Sequence, residues 1–214
     1  MENTLLPPPP RGSKLRVVIM GGGVSGTMSA WELARAGHDV TLLEARDLGN
    51  GASSRSAACI RQQFATPSTV RGIRYAAHIF RGWRQYLGGS QTPMREVGYL
   101  FLKDYQADLP NLRTLLEMQQ HSGLAEVELL GQSELERRFP YLELTDIAHA
   151  TWCPVDGFLQ PDLIFGDAAK AAQTLGARIF RNAEVVSATV ANEIVASVST
   201  KDGRTFEGEL FVKA

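Results

Sequence analysis

The sequence is poor in the residues that build metal sites and disulfide frameworks. Its two cysteines, Cys59 and Cys153, lie far apart in the chain, and no C-x-x-C motif is present. His121 and His149 have no partner at metal-binding spacing. His38 is predicted to lie in a turn, and His78 lies in a predicted helix, where a histidine is more often a core or surface residue than a ligand. We therefore expect no metal ion and no disulfide framework. Thiols without a pairing pattern are typical of reducing compartments, which predicts a cytoplasmic protein, or a mitochondrial one if the source is eukaryotic.

An excess of charge of one sign is also absent. The formal net charge is -1, so the composition gives no reason to expect nucleic acid or an anionic membrane surface as a partner. No apolar run reaches the roughly 18 residues that a membrane span requires. The N-terminus contains Pro7–Pro10 in place of the apolar core of a secretory signal. We expect residues 1–13 to form a disordered, proline-rich tail.

What the sequence does contain, from its fifteenth residue onward, is the pattern of a βαβ unit. Leu15–Met20 is a short apolar run rich in β-branched residues, which is typical of a buried parallel strand. Three glycines interrupt it, and Ser25–Ala36 then has the apolar spacing of a helix that ends at Gly37. Val40–Leu43 predicts a second buried strand. Two strands joined by a helix in this order predict a parallel sheet.

The glycine-rich turn of this unit fits the G-x-G-x-x-G pattern of dinucleotide-binding folds. Gly21 would allow the tight turn, Gly23 would let the backbone approach a pyrophosphate, and Gly26 would let the helix pack closely on the strand. The N–H groups at the start of the helix and the positive end of its dipole favour phosphate binding. The pattern therefore predicts a dinucleotide site at the start of this helix.

An acidic residue, Glu44, ends the second predicted strand. Its carboxylate can accept hydrogen bonds from an adenosine ribose, and it would repel the 2′-phosphate of NADP. NAD and FAD both remain compatible with these residues. Residues 49–59 form a small, polar loop rich in glycine, alanine and serine, whereas in an NAD-binding fold another helix and strand would follow within a few residues. The loop therefore favours FAD, whose flavin is a large flat ligand.

The remainder of the chain alternates predicted helices with predicted strands. Helices are predicted over residues 68–87, 109–120, 133–139 and 162–175, and strands over 97–103, 177–180, 184–190, 193–199 and 205–212. The Asp202-Gly203 pair lies between the last two strands and is a hairpin signal. Together with the opening unit, this order predicts an α/β fold.

Several of these segments match a known pattern when they are taken together. Residues 17–26 and 33–44 contain the glycine turn and the acidic strand end, and residues 47–58 and 60–64 continue with the small-residue loop and an Ile-Arg-Gln-Gln-Phe sequence. A later Asp-Gly-Phe-Leu-Gln-Pro turn, residues 156–161, leads into a predicted helix. These segments resemble the D-amino-acid oxidase (DAO) family of FAD-dependent oxidoreductases, which includes sarcosine oxidases, glycine oxidases and dimethylglycine dehydrogenases.

The resemblance implies a Rossmann-like FAD-binding βαβ domain with an inserted α+β substrate or cap region. Residues 14–90 and 150–214 would form the discontinuous FAD-binding domain, and residues 91–149 would form part of the substrate domain. In the family the last predicted strand leads directly into a flavin contact of the Asn-Ala-Ala-Gly kind. Because this chain ends at Ala214, we expect the C-terminal part of the family fold to be missing.

The resemblance also implies a set of functional residues. Arg61 matches an arginine that binds the substrate carboxylate in sarcosine oxidases, a two-point contact suited to a guanidinium, and it is the predicted catalytic residue. No histidine lies in residues 49–63, so FAD is expected to bind noncovalently. The predicted cofactor-binding residues are Gly21, Gly23, Val24, Ser25, Gly26, Glu44, Ala45, Arg46, Gly51, Ala52, Ser53, Ser56 and Val185.

For a complete protein, the resemblance implies oxidation of a small-molecule amine or amino acid of the sarcosine, glycine or D-amino-acid type. The reaction would be a hydride transfer to flavin N5, with oxygen or another electron acceptor taking the electrons. Three alternatives stay open: a noncatalytic FAD-binding assembly or interaction factor, an NAD-linked dehydrogenase module, and an inactive truncated fragment. A flavoprotein would be yellow and an NAD-linked protein colourless. The sequence leaves the oligomeric state open.

Overall fold

The computed structural model describes residues 13–89 and 91–214. The predicted proline-rich tail therefore lies, apart from its last residue, outside the described part of the chain. The chain divides into two compact units. The first unit comprises the described residues up to Ala58, together with Gly82–Pro93 and Gln160–Ala214, and the second comprises Cys59–Arg81 and Met94–Leu159.

The boundaries of these units differ from the division drawn from the sequence. Residues 59–81 and 150–159, which the prediction gave to the FAD-binding domain, lie in the second unit, and residues 91–93 lie in the first. The assignment of an FAD-binding role to one unit and a substrate role to the other stays a prediction.

The described residues form thirteen strands, six α-helices and one 3-10 turn. The helices are α1 (Val24–Arg35), α2 (Pro67–Arg81), α3 (Trp83–Leu87), α4 (Leu109–His121), α5 (Gln132–Arg138) and α6 (Pro161–Thr174), and the 3-10 turn covers Ala52–Arg55. The strands are β1 (Arg16–Met20), β2 (Asp39–Leu43), β3 (Cys59–Ile60), β4 (Met94–Glu96), β5 (Tyr99–Asp104), β6 (Glu128–Gly131), β7 (Ile147–Cys153), β8 (Gly157–Leu159), β9 (Arg178–Phe180), β10 (Val185–Ala191), β11 (Ile194–Thr200), β12 (Thr205–Glu207) and β13 (Leu210–Lys213). No helix among the described residues combines the length and the apolar character needed to cross a bilayer.

A four-stranded parallel sheet forms the centre of the first unit. Its strand order is β13-β1-β2-β9, and every neighbouring pair is parallel. Val17, Val18 and Ile19 of β1 are almost completely buried, as expected for a strand with both sheet faces covered. The predicted βαβ unit and the α/β fold are confirmed, with the helix beginning one residue earlier than predicted.

The predicted strand over residues 205–212 is wrong, because the chain changes sheets in the middle of it. β12 pairs antiparallel with β11 in the three-stranded sheet β10-β11-β12, whereas β13 pairs parallel with β1. The break falls at Gly208, where an added Cβ would lie 3.0 Å from the Val18 side chain. The spacing of hydrophobic residues indicates that a segment is extended, but it does not indicate which strand pairs with that segment.

The predicted helix over residues 68–87 is also wrong as a single element. It is two helices, α2 and α3, which lie in different units and are separated at Gly82. Gly82 has φ -87° and ψ 21°, outside the helical region, and glycine carries the largest entropy cost of staying helical. The apolar spacing continues across the break, so the sequence pattern does not reveal it.

The second unit contains two three-stranded sheets, β3-β8-β4 and β5-β7-β6, together with α2, α4 and α5. Of these strands, only β5 is predicted from the sequence. In the second unit, one cluster of buried side chains joins α2 and α4 to β7 through Val70, Leu116 and Cys153. Burial of an apolar side chain of this kind contributes about 1.5–3 kcal/mol. Because Val70 and Leu116 are far from Cys153 in the chain, β7 is held mainly by contacts that are distant in sequence.

Candidate functional site

The glycine-rich turn lies at the carboxyl end of β1, where the chain turns into α1. β1 has β2 on one side and β13 on the other, and the connections to these two strands run in opposite directions along the sheet. This is the topological switch point of an open parallel sheet, where such folds form their ligand crevice. The turn is therefore placed where a nucleotide site is expected.

Two of the glycines are required by the local backbone geometry. Gly21 has φ +115°, a conformation that other residues rarely adopt. A Cβ on Gly26 would lie 1.9 Å from the Gly21 carbonyl oxygen, so a larger residue would push α1 away from β1. These are the tight turn and the close helix packing that the sequence pattern predicts.

Gly23 has a different surrounding, and it leaves space that a ligand can use. An added Cβ there would meet only the Ser53 side chain, with the Oγ at 2.8 Å. Gly23 is the N-cap of α1, which has no side-chain cap and no acidic residue in its first turn. The partial positive charge of the helix N-terminus is thus not offset by a carboxylate of its own first turn, and it suits an anion such as a pyrophosphate.

Ser53, in the 3-10 turn, joins the small-residue loop to the start of α1. Its Oγ accepts a hydrogen bond from the Val24 N–H at 3.0 Å. A hydroxyl has one donor and two acceptor positions, so Ser53 can accept from Val24 and still donate to a phosphate oxygen. The neighbouring Ser25 is exposed on the first turn of the same helix.

Glu44 follows β2 directly and is held by backbone groups on both sides. Its carboxylate accepts hydrogen bonds from the Gly22 N–H at 2.6 Å and from the Arg46 N–H at 2.9 Å. Its own N–H donates to the Phe180 carbonyl, and its carbonyl accepts from the Ala183 N–H. The acid predicted to bind a ribose is therefore fixed beside the glycine turn, with Oε2 bonded to Gly22 and Oε1 bonded to Arg46.

The sequence prediction missed three of these partners, Gly22, Phe180 and Ala183. Gly22 is the middle glycine of the triplet, and an added Cβ there would lie 3.0 Å from the Glu44 Cβ and 2.6 Å from the Leu48 side chain. The sequence contained a signal for Gly22, because the G-x-G-x-x-G pattern does not require glycine at that position. Nothing local marks Ala183, because its role depends on β9 ending beside β2.

The other predicted cofactor residues also lie in the first unit. Ala45 and Arg46 form the exposed turn after β2, and Gly51 and Ala52 begin the exposed small-residue turn. The Ser56 Oγ accepts a hydrogen bond from the Ala58 N–H at 2.9 Å. Val185 begins β10 and packs against a buried cluster that includes Leu43 and Ala183. Their contact with a cofactor stays a prediction.

Arg61 lies in the second unit, directly after β3. Its guanidinium lies over two aromatic rings, 5.3 Å from the centre of Phe64 and 5.7 Å from the centre of Phe101. Such cation–π contacts hold a guanidinium in place without neutralising it. Among the described residues, no carboxylate forms an ion pair with Arg61.

Arg61 also lines a cavity of about 440 Å³ within the second unit. The other lining residues are mainly apolar or aromatic, among them Ile60, Phe64, Phe80 and Leu159. Small-molecule sites are typically concave and apolar, with a few polar groups that fix the orientation of the ligand. A single cation in such a cavity is suited to a carboxylate that carries an apolar body.

Asp156 is the most deeply buried acidic residue described, with 0% exposure. Burial raises its pKa, and hydrogen bonds from Gln63 and Gln62 oppose that rise. Burial, together with the charge of Asp156, also raises the pKa of the nearby Cys153 thiol to about 12. Within the described part of the chain, no group of three or more His, Cys, Asp or Glu residues is arranged to hold a metal ion.

Comparison with known proteins gives a family match over most of the chain. The model of the DAO family, described as FAD dependent oxidoreductase, matches residues 16–214. The solved structure of L-proline dehydrogenase from P. horikoshii superposes with a TM-score of 0.82 at 28% identity, covering 94% of this chain and 52% of that one. The chain thus spans about half the length of this structural relative.

Two curated relatives show how widely the functions of similar chains differ. The 4-methylaminobutanoate oxidase (formaldehyde-forming) of Paenarthrobacter nicotinovorans is 25% identical, over 91% of this chain and 23% of its own length. The mitochondrial pyruvate dehydrogenase phosphatase regulatory subunit of Mus musculus is 24% identical, over 94% of this chain and 23% of its own length. The chain spans less than a quarter of each.

Proposed function

Because this chain belongs to the DAO family of FAD dependent oxidoreductases, we propose that its first unit binds FAD noncovalently and that it takes part in oxidising a carboxylate-bearing amine or amino acid. The observation that carries the proposal is the Glu44 carboxylate, held by the Gly22 N–H at 2.6 Å beside the glycine turn. A fixed acceptor at the carboxyl end of β2 suits the ribose hydroxyls of an adenine dinucleotide.

Different groups around the glycine turn would hold different parts of FAD. Glu44 would accept hydrogen bonds from the ribose, and the N-terminus of α1 at Val24 and Ser25 would face the pyrophosphate. Ser53, already bonded to the Val24 N–H, would donate to a phosphate oxygen or to the ring edge. When bound, FAD supplies the acceptor for the hydride removed from the carbon beside the substrate nitrogen.

Arg61 would bind and orient the substrate. Its guanidinium can contact both oxygens of a carboxylate at once, which fixes the direction of the rest of the molecule. The apolar lining of the cavity would contact the body of the substrate while the guanidinium holds its carboxylate.

Purification of the 214-residue chain with added FAD tests the cofactor assignment. We expect a yellow protein whose flavin absorbance survives desalting and is released into the supernatant by acid precipitation, because the bond is noncovalent. A colourless chain that takes up NAD instead would contradict the assignment. A flavin that stays in the acid precipitate would contradict noncovalent binding alone.

The role of Arg61 is tested with a matched pair of ligands, cyclopentanecarboxylate and the uncharged cyclopentanecarboxamide. Arg61→Met is expected to weaken binding of the carboxylate by about tenfold to a hundredfold, the equivalent of a charge-assisted hydrogen bond, and to leave binding of the amide unchanged. Isothermal titration calorimetry measures both. Arg74→Met is the control, since Arg74 lies in the same unit and pairs with Glu126 at 2.9 Å. An equal loss of carboxylate affinity in Arg61→Met and Arg74→Met would contradict the assignment.

A noncatalytic role is the second candidate function, and the similarity to a phosphatase regulatory subunit favours it. In that case the residues at the glycine turn and Glu44 would still bind FAD, but no substrate would be oxidised. Steady-state assays with sarcosine, proline and D-amino acids, on protein that holds flavin, distinguish the two. Reduction of the flavin by any of these compounds under anaerobic conditions would exclude the noncatalytic role.

A further inference from the structure

The carboxylate of Asp156 is bound to the segment that follows Arg61. Its Oδ1 accepts hydrogen bonds from the Gln62 N–H at 2.8 Å and from the Gln62 Nε2 at 3.1 Å. Its Oδ2 accepts from the Gln63 Nε2 at 3.2 Å. All these groups lie in the second unit, so one buried carboxylate gathers the donors of two consecutive residues.

The same two glutamines tie the segment to two other parts of the unit. The Gln62 Nε2 also donates to the Val155 carbonyl at 2.9 Å, and the Gln63 Nε2 donates to the Tyr99 carbonyl at 3.0 Å. The Asp156 carbonyl in turn accepts from the Val97 and Gly98 N–H groups. Residues 61–64 are thereby fixed to the turn before β8 and to the start of β5.

The amides of Gln62 and Gln63 present their Nε2 donors to Asp156. Among the described residues, the buried Oε1 atoms of Gln62 and Gln63 have no hydrogen-bond partner. A carboxylate can only accept, so each amide turns its Nε2 toward it. Asp156 thereby sets the orientation of both amides.

A carboxylate is also a costly choice for a simple turn. Asp156 is fully buried, and no arginine, lysine or histidine forms an ion pair with it in the described part of the chain. A neutral asparagine would avoid the desolvation cost of the charge. Asparagine, however, would present an NH₂ group to one of the donors, whereas a carboxylate accepts from all of them at once.

We propose that Asp156 is a positioning residue for Arg61. By holding residues 61–64, Asp156 keeps the Arg61 guanidinium at the 440 Å³ cavity, over the rings of Phe64 and Phe101. The inference rests on the proposed function of Arg61 as the carboxylate-binding group. Asp156 does not contact the substrate; it acts by fixing the backbone on which Arg61 is carried. Small displacements of a positioned group have large effects on the interactions that it makes.

Asp156→Asn tests this in the 214-residue chain. The variant is expected to bind cyclopentanecarboxylate about tenfold more weakly while its affinity for cyclopentanecarboxamide stays the same. A second readout reports the position of Arg61 directly. In the native chain, the ¹⁵N-labelled guanidinium signals of Arg61 should be shifted by the two aromatic rings, and in Asp156→Asn that shift should decrease. Arg61→Lys identifies these signals by their loss.

Two further variants separate positioning from stability. Leu135→Ala removes a completely buried side chain from another cluster of the same unit and should lower the Tm without changing the carboxylate affinity or the Arg61 signals. Gln63→Met removes one donor to Asp156 while keeping a side chain of similar length. It should weaken carboxylate binding in the same direction as Asp156→Asn, which keeps the test open if the latter fails to fold.

The outcomes separate this inference from the function on which it rests. If the native chain binds the carboxylate and the amide equally, both the Arg61 assignment and the positioning role are overturned. If the native chain prefers the carboxylate and Asp156→Asn or Gln63→Met keeps that preference, only the positioning role is overturned. If Leu135→Ala and Asp156→Asn lost equal amounts of affinity for the carboxylate, Asp156 would have a structural role only.

Discussion

Gly26→Ala is expected to abolish FAD binding and to lower the free energy of unfolding by about 3 kcal/mol. The added Cβ would lie 1.9 Å from the Gly21 carbonyl oxygen and 3.0 Å from its carbon. Both are backbone atoms, so the clash is relieved only if α1 moves away from β1. That movement displaces the helix N-terminus from the position in which its N–H groups face the pyrophosphate. Chemical denaturation measures the stability change, and fluorescence titration measures FAD binding.

Gly166→Ala is the matched control for this substitution. Gly166 lies inside α6 in the same unit, and an added Cβ would meet nothing within 4 Å. Alanine is favoured over glycine in a helix interior by about 0.5–1 kcal/mol, so this variant should be slightly more stable and bind FAD normally. If Gly26→Ala behaved like Gly166→Ala, close packing of α1 on β1 would not be a requirement of the site.

Glu44→Ala is expected to weaken FAD binding by about a hundredfold, or about 2.7 kcal/mol, as the loss of charge-assisted hydrogen bonds predicts. The substitution removes the acceptor for the ribose hydroxyls. It also frees the Gly22 and Arg46 N–H groups, which the carboxylate holds at 2.6 and 2.9 Å, and thereby loosens the glycine turn. Glu44→Gln keeps one acceptor oxygen, so its loss of affinity should be smaller, about tenfold.

Glu209→Ala is the control for Glu44. Glu209 lies in the same unit, and its carboxylate also accepts a hydrogen bond from a backbone N–H, that of Arg16 at 2.9 Å. It precedes β13, so it stands at the opposite end of the sheet from the glycine turn. Removal of Glu209 should leave the affinity for FAD unchanged. An equal weakening in both variants would mean that Glu44 acts through the stability of the sheet.

Local patterns were sufficient for most elements of the first unit. The runs that became β1, α1, β2, α6, β10 and β11 were predicted within one or two residues, and the Asp202-Gly203 turn was predicted as well, with Gly203 at φ +87°. Each of these depends on spacing or turn chemistry within a short window. The glycine turn belongs to the same class, because Gly21 and Gly26 constrain each other across only five residues.

The second unit was less predictable for a physical reason. β6, β7 and β8 were not predicted, and each is held by partners far away in the chain, as in the pairing of Tyr99 with Cys153. The strand content of such segments is decided by cross-strand packing more than by intrinsic propensity. The separation of α2 from α3 has the same origin, since the two halves of one apolar pattern pack in different units.

The sequence by itself determined the parallel βαβ start, the glycine turn and the acid at the end of the second strand, because these are short-range constraints on backbone and charge. Tertiary structure alone decided that Glu44 is held by Gly22 and Ala183, and that Asp156 gathers Gln62 and Gln63 beside Arg61. A buried carboxylate is stable only where several donors converge on it. That convergence joins residues that are far apart in the chain, so it exists only in the folded protein.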